Sequence, residues 1–262
     1  MLDVAEIERR TGWRVVAHAV VASTNDEAAA LRDAGLGARV AVVADRQFAG
    51  RGRGGRRFAS PTGGLYASVV VGVRLEDLPA PTTAAVATAL ADAIEAIVPV
   101  AVGVKWPNDL WIDRRKVAGI LTEASLGGAG RPARAAIVVG IGVNVAVIPS
   151  ELEPEVAVAT TALDLHARAP VRREDLLAEL LPRLDRRLAA LERPLERARL
   201  EADYRARLVL VGETVRFLVG DEPAEGVLED ASLERGLLVR DATGEARWWA
   251  PGHVREVRPV GP

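Results

Sequence analysis

The feature that most restricts the fold is a change of texture near residue 208. Up to that point apolar runs alternate with longer amphipathic stretches, the pattern of strands interleaved with helices. Beyond it, "VLVGETVRFLVGDEPAEGVLEDASLERGLLVRDATGEARWWAPGHVREVRPV" holds short alternating strands separated by glycine-rich turns. One chain with both textures reads as an α+β body, a mixed sheet packed with helices, over residues 1–208, and a small β-barrel over 209–262. With 49% hydrophobic residues, the body has ample material for a core.

Within the body, "WRVVAHAVV", "ARVAVVADRQF", "LYASVVVGV", "AVGVKW", "DLWI", "KVAGILTEA" and "RAAIVVGIGVNV" read as strands. Thr24 to Glu27 has the spacing of a capping box, which predicts a helix starting at Thr24 with free N–H groups around Ser23 to Asn25. "TTAAVATALADAIEAIV" predicts a long buried helix. From Arg172 to Leu208 the pattern is helical, with Pro182 and Pro194 as breaks or starts.

Charge and composition exclude several classes. The net charge is −2 and the pI about 6.0, so no overall basic field recruits nucleic acid or a membrane. The chain has no cysteine, which removes disulfides, thiolate metal sites and a thiol nucleophile, and fits a reducing, cytoplasmic setting. No signal peptide and no apolar run long enough to span a membrane is visible. His18, His166 and His253 show no metal-ligand spacing.

Against this background "GRGRGGRR", Gly50 to Arg57, concentrates four arginines on four glycines. Gly50, Gly52 and Gly55 satisfy G-x-G-x-x-G, but "RRFASPTGGLY" follows where a dinucleotide fold needs a helix, so that reading fails. An RNA-binding Arg/Gly tail would be longer and repeated. A solvated hairpin turn remains, as does a loop that closes on an anion with paired arginine donors. Of the 34 Lys and Arg residues only Lys105 and Lys116 are lysines, and both fall in "KWPNDLWIDRRK". Trp106 to Asp109 suits a tight turn. Lys105, at the end of an apolar strand, needs an anion there, either a side chain or a ligand. Ser23, Thr24 and Asn25 are a helix cap or a polar binding edge. Asn144, within "GIGVNV", needs partners from backbone or ligand.

Taken in order, "STN", "QFAGRGRGGRRF", "KWPNDL", "KVAGIL" and "GIGVNV" resemble the biotin–protein ligases, the biotin–[acetyl-CoA-carboxylase] ligases. The resemblance runs from about Val15 to the C-terminus. It implies a catalytic domain related to the lipoate ligases followed by an SH3-like barrel. It also implies that biotin and ATP, with Mg²⁺, form biotinyl-5′-AMP, whose biotin passes to one lysine of a biotin carboxyl carrier domain. By that resemblance Ser23, Thr24, Asn25 and Gln47 meet biotin. Arg51, Gly52, Arg53 and Lys105 face its carboxylate, and Arg51 and Lys105 act in catalysis. Arg53, Arg56, Asn108 and Asn144 serve the nucleotide, and the glycine-arginine loop closes over the ligands; no metal site of the protein's own is expected.

Two departures stand out: Gly54 where many relatives carry arginine, and Phe58 where they carry tryptophan. About twenty residues precede "STN", too few for a winged helix-turn-helix, so no specific DNA binding is expected. Members of the family dimerise to different extents through a sheet edge, so a homodimer is one assembly the resemblance allows. A lipoate- or octanoate-activating ligase of the same fold is the alternative, and a non-enzymatic nucleic-acid-binding protein a remoter one.

Overall fold

The computed structural model describes residues 2–36, 39–123, 134–150, 152–232 and 234–260. Ala38 and Ala124, the ends of two expected strands, lie outside these residues. Helix α1 (Val4–Thr11) leads into β1 (Arg14–Val21), α2 (Thr24–Asp33), β2 (Val40–Gln47) and β3 (Leu65–Arg74). The helix α3 (Ala80–Ile97) is followed by four strands, β4 (Gly103–Lys105), β5 (Asp109–Ile112), β6 (Arg115–Glu123) and β7 (Arg134–Val143). Three helices close the body: α4 (Pro154–Val158), α5 (Arg173–Ala190) and α6 (Pro194–Ala206).

The strands form one seven-stranded sheet in the order β1-β2-β3-β7-β6-β5-β4. Only the β1–β2 pair is parallel, so the sheet is mixed, as expected. Side chains alternate across it. Ala41, Val43, Val69, Val71, Ile137, Val139 and Ile141 face the layer of α3 and α5, while Val42, Val70 and Val138 face α2 with Ala28. The helical layer therefore seals one face, and the other is left for α2 and for a site.

Two local expectations are corrected. The cap of α2 is Ser23, whose side chain accepts from the Asn25 N–H, not Thr24. Thr24 is inside the helix because its hydroxyl is engaged with the Gln47 Oε1 instead. Pro182 neither breaks nor starts a helix; it lies inside α5. An interior proline costs roughly 3 kcal/mol. Leu176, Leu177, Leu180, Leu181 and Leu184 are all buried along the same helix, and at about 1.5–3 kcal/mol each their burial outweighs it. Pro194 does start α6.

The C-terminal texture folds as five antiparallel strands, β8 (Thr214–Val219), β9 (Glu222–Ser232), β10 (Gly236–Arg240), β11 (Ala246–Trp249) and β12 (Val254–Pro259), in the order β11-β10-β9-β8-β12. Its Val215, Phe217, Leu228, Leu237 and Val257 belong to the main core cluster. The connecting segment also steadies the body. Val104 donates to the Arg207 carbonyl (2.7 Å) and accepts from the Val209 N–H (3.1 Å), which pins β4.

Candidate functional site

The unsealed face of the sheet is built from strand residues of the parity opposite to the core. Ser68 on β3, Gly140 and Gly142 on β7, Gly119 and Leu121 on β6, and Lys105 and Asp109 on β4 and β5 all belong to it. Apart from Ser68, which is fully buried behind Thr24 and Asn25, they enclose with the start of α2 and the glycine-arginine loop a cavity of about 440 Å³, within the range of small-molecule sites. Ser23, Thr24, Asn25, Gln47, Arg51, Gly52, Arg53, Arg56, Lys105 and Asn108 line it together. Asn144 does not; it is buried next to β7 and its Nδ2 donates to the Thr161 carbonyl.

One end of the cavity is a continuous polar network. Gln47 Oε1 accepts from the Thr24 N–H (2.7 Å) and hydroxyl (3.0 Å), and Gln47 Nε2 donates to the Ser60 Oγ (2.9 Å). Ser68 Oγ lies 2.7 Å from the Thr24 hydroxyl and 2.5 Å from the Asn25 Oδ1. Asn25 Nδ2 in turn donates to Glu123 (2.5 Å). Gly140 makes this possible, since a Cβ there would lie 2.3 Å from the Asn25 Oδ1. Every amide and hydroxyl is thus held in one orientation before any ligand arrives.

The other end is cationic. The lining contains Arg51, Arg53, Arg56, Arg57, Lys105 and Lys116, six cations, against Asp109, Glu153 and Glu256, three carboxylates. Lys105 is the cross-strand partner of Asp109, and its ammonium lies 5.7 Å from the Trp111 ring centre. Burial holds its pKa below the ordinary lysine value, an effect Asp109 offsets only in part. Arg53 is also pulled down by burial, with Asp109 opposing, and its Nη1 donates to the Asn108 Oδ1 (3.2 Å). Beneath the turn, the buried phenol of Tyr204 donates to the Pro107 carbonyl (3.1 Å), and burial pushes its pKa up. A site that disfavours its own cations in the absence of ligand is one an incoming anion relieves.

Lys116 was visible in the sequence only as the second lysine, and a bulge brings it here. Leu110 pairs with Ala118 and Trp111 with Lys116, so Val117 is an extra residue in β6. Without it Lys116 and Gly119, three residues apart, would face opposite sides of the sheet. With it, Lys116 donates to the Asp109 Oδ1 (2.7 Å) and stands 5.8 Å from the centre of the Phe58 ring. Asp26, Glu123, Ser60, Ser68 and Glu256 were missed altogether, because each acquires its role through a partner distant in sequence.

The loop itself is folded over the cavity. Arg51 and Arg57 form a bridge, Gly52 N–H donates to the Arg56 carbonyl (2.7 Å), and Phe58 N–H to the Gly50 carbonyl (2.9 Å). Gly54 and Gly55 have φ of 65° and 75°, where glycine is favoured. Arg56 pairs with Glu256 of β12 (2.9 Å). Arg51, expected to face a ligand carboxylate, lines the cavity and at the same time pairs with Asp26 (2.8 Å) and Glu123 (3.2 Å).

With this geometry in view, residues 17–144 match the model of the Biotin/lipoate A/B protein ligase family. The chain is 34% identical over 260 residues to a biotin–[acetyl-CoA-carboxylase] ligase of Mycobacterium tuberculosis, covering 95% of this chain and 91% of that protein. It is 36% identical over 230 residues to a ligase of the same name from Paracoccus denitrificans, covering 85% and 92%. Among solved structures, the biotin protein ligase from Aquifex aeolicus in complex with biotin and ATP superposes with a TM-score of 0.79 at 26% identity, over 94% of this chain and 99% of that one.

Proposed function

This chain belongs to the Biotin/lipoate A/B protein ligase family, and on that premise we propose that it activates biotin with ATP and transfers it to a lysine of a carrier domain. In the first half-reaction a biotin carboxylate oxygen attacks the α-phosphorus of ATP. The bond to the bridging oxygen breaks, pyrophosphate leaves with the electron pair, and biotinyl-5′-AMP remains. In the second, the neutral amine of the carrier lysine attacks the acyl carbon, the amide forms, AMP leaves and the amine gives up a proton.

The observation that carries this reading is the division of the cavity into a preorganised polar end and a cationic end. Ser23, Thr24, Asn25 and Gln47 suit a ureido ring, which both donates and accepts hydrogen bonds; the dithiolane of lipoate or the alkyl tail of octanoate offers them nothing. Joining a carboxylate to a polyphosphate is opposed mainly by charge repulsion. Lys105, Arg53 and Lys116 supply fixed positive charge where that repulsion arises. Arg56 extends it toward the nucleotide, and Asn108 offers hydrogen bonds there. Mg²⁺ enters as part of the substrate, on the phosphates of ATP, where it keeps most of its water. The folded loop shields the mixed anhydride from hydrolysis. The partner is a biotin carboxyl carrier domain presenting one lysine.

Pyrophosphate–ATP exchange tests this, with Mg²⁺ and with biotin, lipoate or octanoate supplied separately. Exchange with biotin alone is the expected result. Exchange only with lipoate or octanoate keeps the adenylation chemistry and overturns the substrate, and no exchange with any of the three overturns the reading.

A further inference from the structure

We infer that Glu123 is a positioning residue that couples ring binding to loop closure, with Arg51 as the latch of the glycine-arginine loop and Asp26 as its second anchor. Glu123 lies outside the cavity lining and reaches the site through Asn25 and Arg51, both of which line it. Its carboxylate bonds both to Asn25 of the polar network and to Arg51 of the glycine-arginine loop. Oε2 accepts from Asn25 Nδ2 (2.5 Å) and from Arg51 Nη2 (3.2 Å), while Oε1 faces Arg51 Nε (3.4 Å). The opposite edge of the same guanidinium meets Asp26 (2.8 Å). Arg51 is therefore held on two sides by carboxylates from α2 and β6.

The bond from Asn25 Nδ2 to Glu123 also settles which way the Asn25 amide points. With Nδ2 committed to Glu123, Oδ1 must face Ser68, and the amide enters the ring-binding network in a single orientation. A ligand that engages Asn25 thus acts on the group that holds Arg51, and a closed Arg51 fixes the Asn25 amide in return. This reciprocity is what binding free energies require of coupled sites. The Asn25 side of the coupling rests on the proposed biotin reading; the latch does not.

Tryptic cleavage of the ligand-free protein reports the latch directly, because the loop offers Arg51, Arg53, Arg56 and Arg57 and is cut when it opens. The side chains of Asp26 and Glu123 are 52% and 39% exposed, so neither substitution removes a core contact. Asp26→Asn is expected to speed cleavage about threefold and to raise the KM for biotin by no more than that factor. Glu123→Gln is expected to speed cleavage about fivefold and to raise the KM for biotin about tenfold with the KM for ATP little changed. Thermal melting of both variants is expected to match the parent protein. An unchanged cleavage rate in Glu123→Gln overturns the latch, whatever its melting temperature. Equal rises in both KM values, or a biotin KM raised as far by Asp26→Asn, overturns the coupling. Should the parent protein show no biotin-dependent exchange, the biotin reading falls while the cleavage comparison still decides the latch.

Discussion

Lys105 and Asp109 are cross-strand partners, yet the Asp109 carboxylate bonds to Lys116, and among the described residues the Lys105 ammonium has no ion pair. One carboxylate is thus shared unequally between the two lysines of the chain. The result is a half-buried cation whose charge the free protein tolerates rather than prefers.

That tolerance makes Lys105 a liability for stability and an asset for activity. Its folded pKa is depressed below 10.5, so between the folded and unfolded values the unfolded chain binds more protons and stability rises with pH. Lys105→Met is therefore expected to raise the melting temperature of the ligand-free protein by about 1–3 °C near neutrality. The gain should shrink as pH rises through the folded pKa. The same variant is expected to lose about 10²- to 10³-fold in pyrophosphate exchange. Calorimetry and exchange on one preparation check both; a variant that is less stable and still active contradicts the role.

Asp109 is the group that raises the Lys105 pKa against burial, so removing its charge should lower that pKa further. If activity needs protonated Lys105, kcat/KM for exchange falls as pH rises through that value, since this parameter reports the free enzyme. Asp109→Asn is expected to move the alkaline limb to lower pH while preserving the shape of the turn. A limb that stays in place shows that Lys105 does not set it.

The elements were legible where the signal is local: the strand and helix runs follow from periodicity. That "STN", Gln47, the loop and "KWPND" meet around one cavity was implied only by the family resemblance. What was not legible depends on register. The extra residue Val117 that turns Lys116 inward exists only relative to β5. Asp26 and Glu123 reach Arg51 from α2 and β6, and neither pairing could be read from the loop's own residues. Thr24 passes for a cap because Gln47, which claims its hydroxyl, is 23 residues away.

The strand that carries Lys105 is anchored from below by Arg207. Its guanidinium bonds both oxygens of Glu95, Asp92 and the Val102 carbonyl, three residues before Lys105. Arg207→Met leaves two partly buried carboxylates without this partner and is expected to cost about 1–3 kcal/mol. The Arg207 hydrogen bonds hold the Glu95 pKa below 4.5, so this part of the stability is present above that pH and lost as pH falls through the folded value. Urea unfolding at neutral and acidic pH checks it: the gap between variant and parent should narrow in acid.

The Phe58 ring marks the floor of the cavity, and two glycines decide that it can lie there. A Cβ on Gly142 would sit 2.4 Å from the Phe58 Cε1, and one on Gly119 3.4 Å from its Cε2 and 3.1 Å from the Lys116 ammonium. Gly142 has no left-handed backbone to satisfy, so its requirement is the close approach of the ring alone. Gly142→Ala is expected to displace Phe58, at a cost of about 1–3 kcal/mol where the ring cannot give way, and to weaken biotin binding. Phe58→Ala should remove the clash, so the double variant is expected to bind better than the sum of the single effects allows. Titration calorimetry on the four proteins of the cycle measures that term. Strict additivity would mean that Gly142 serves the ligand directly and not the ring.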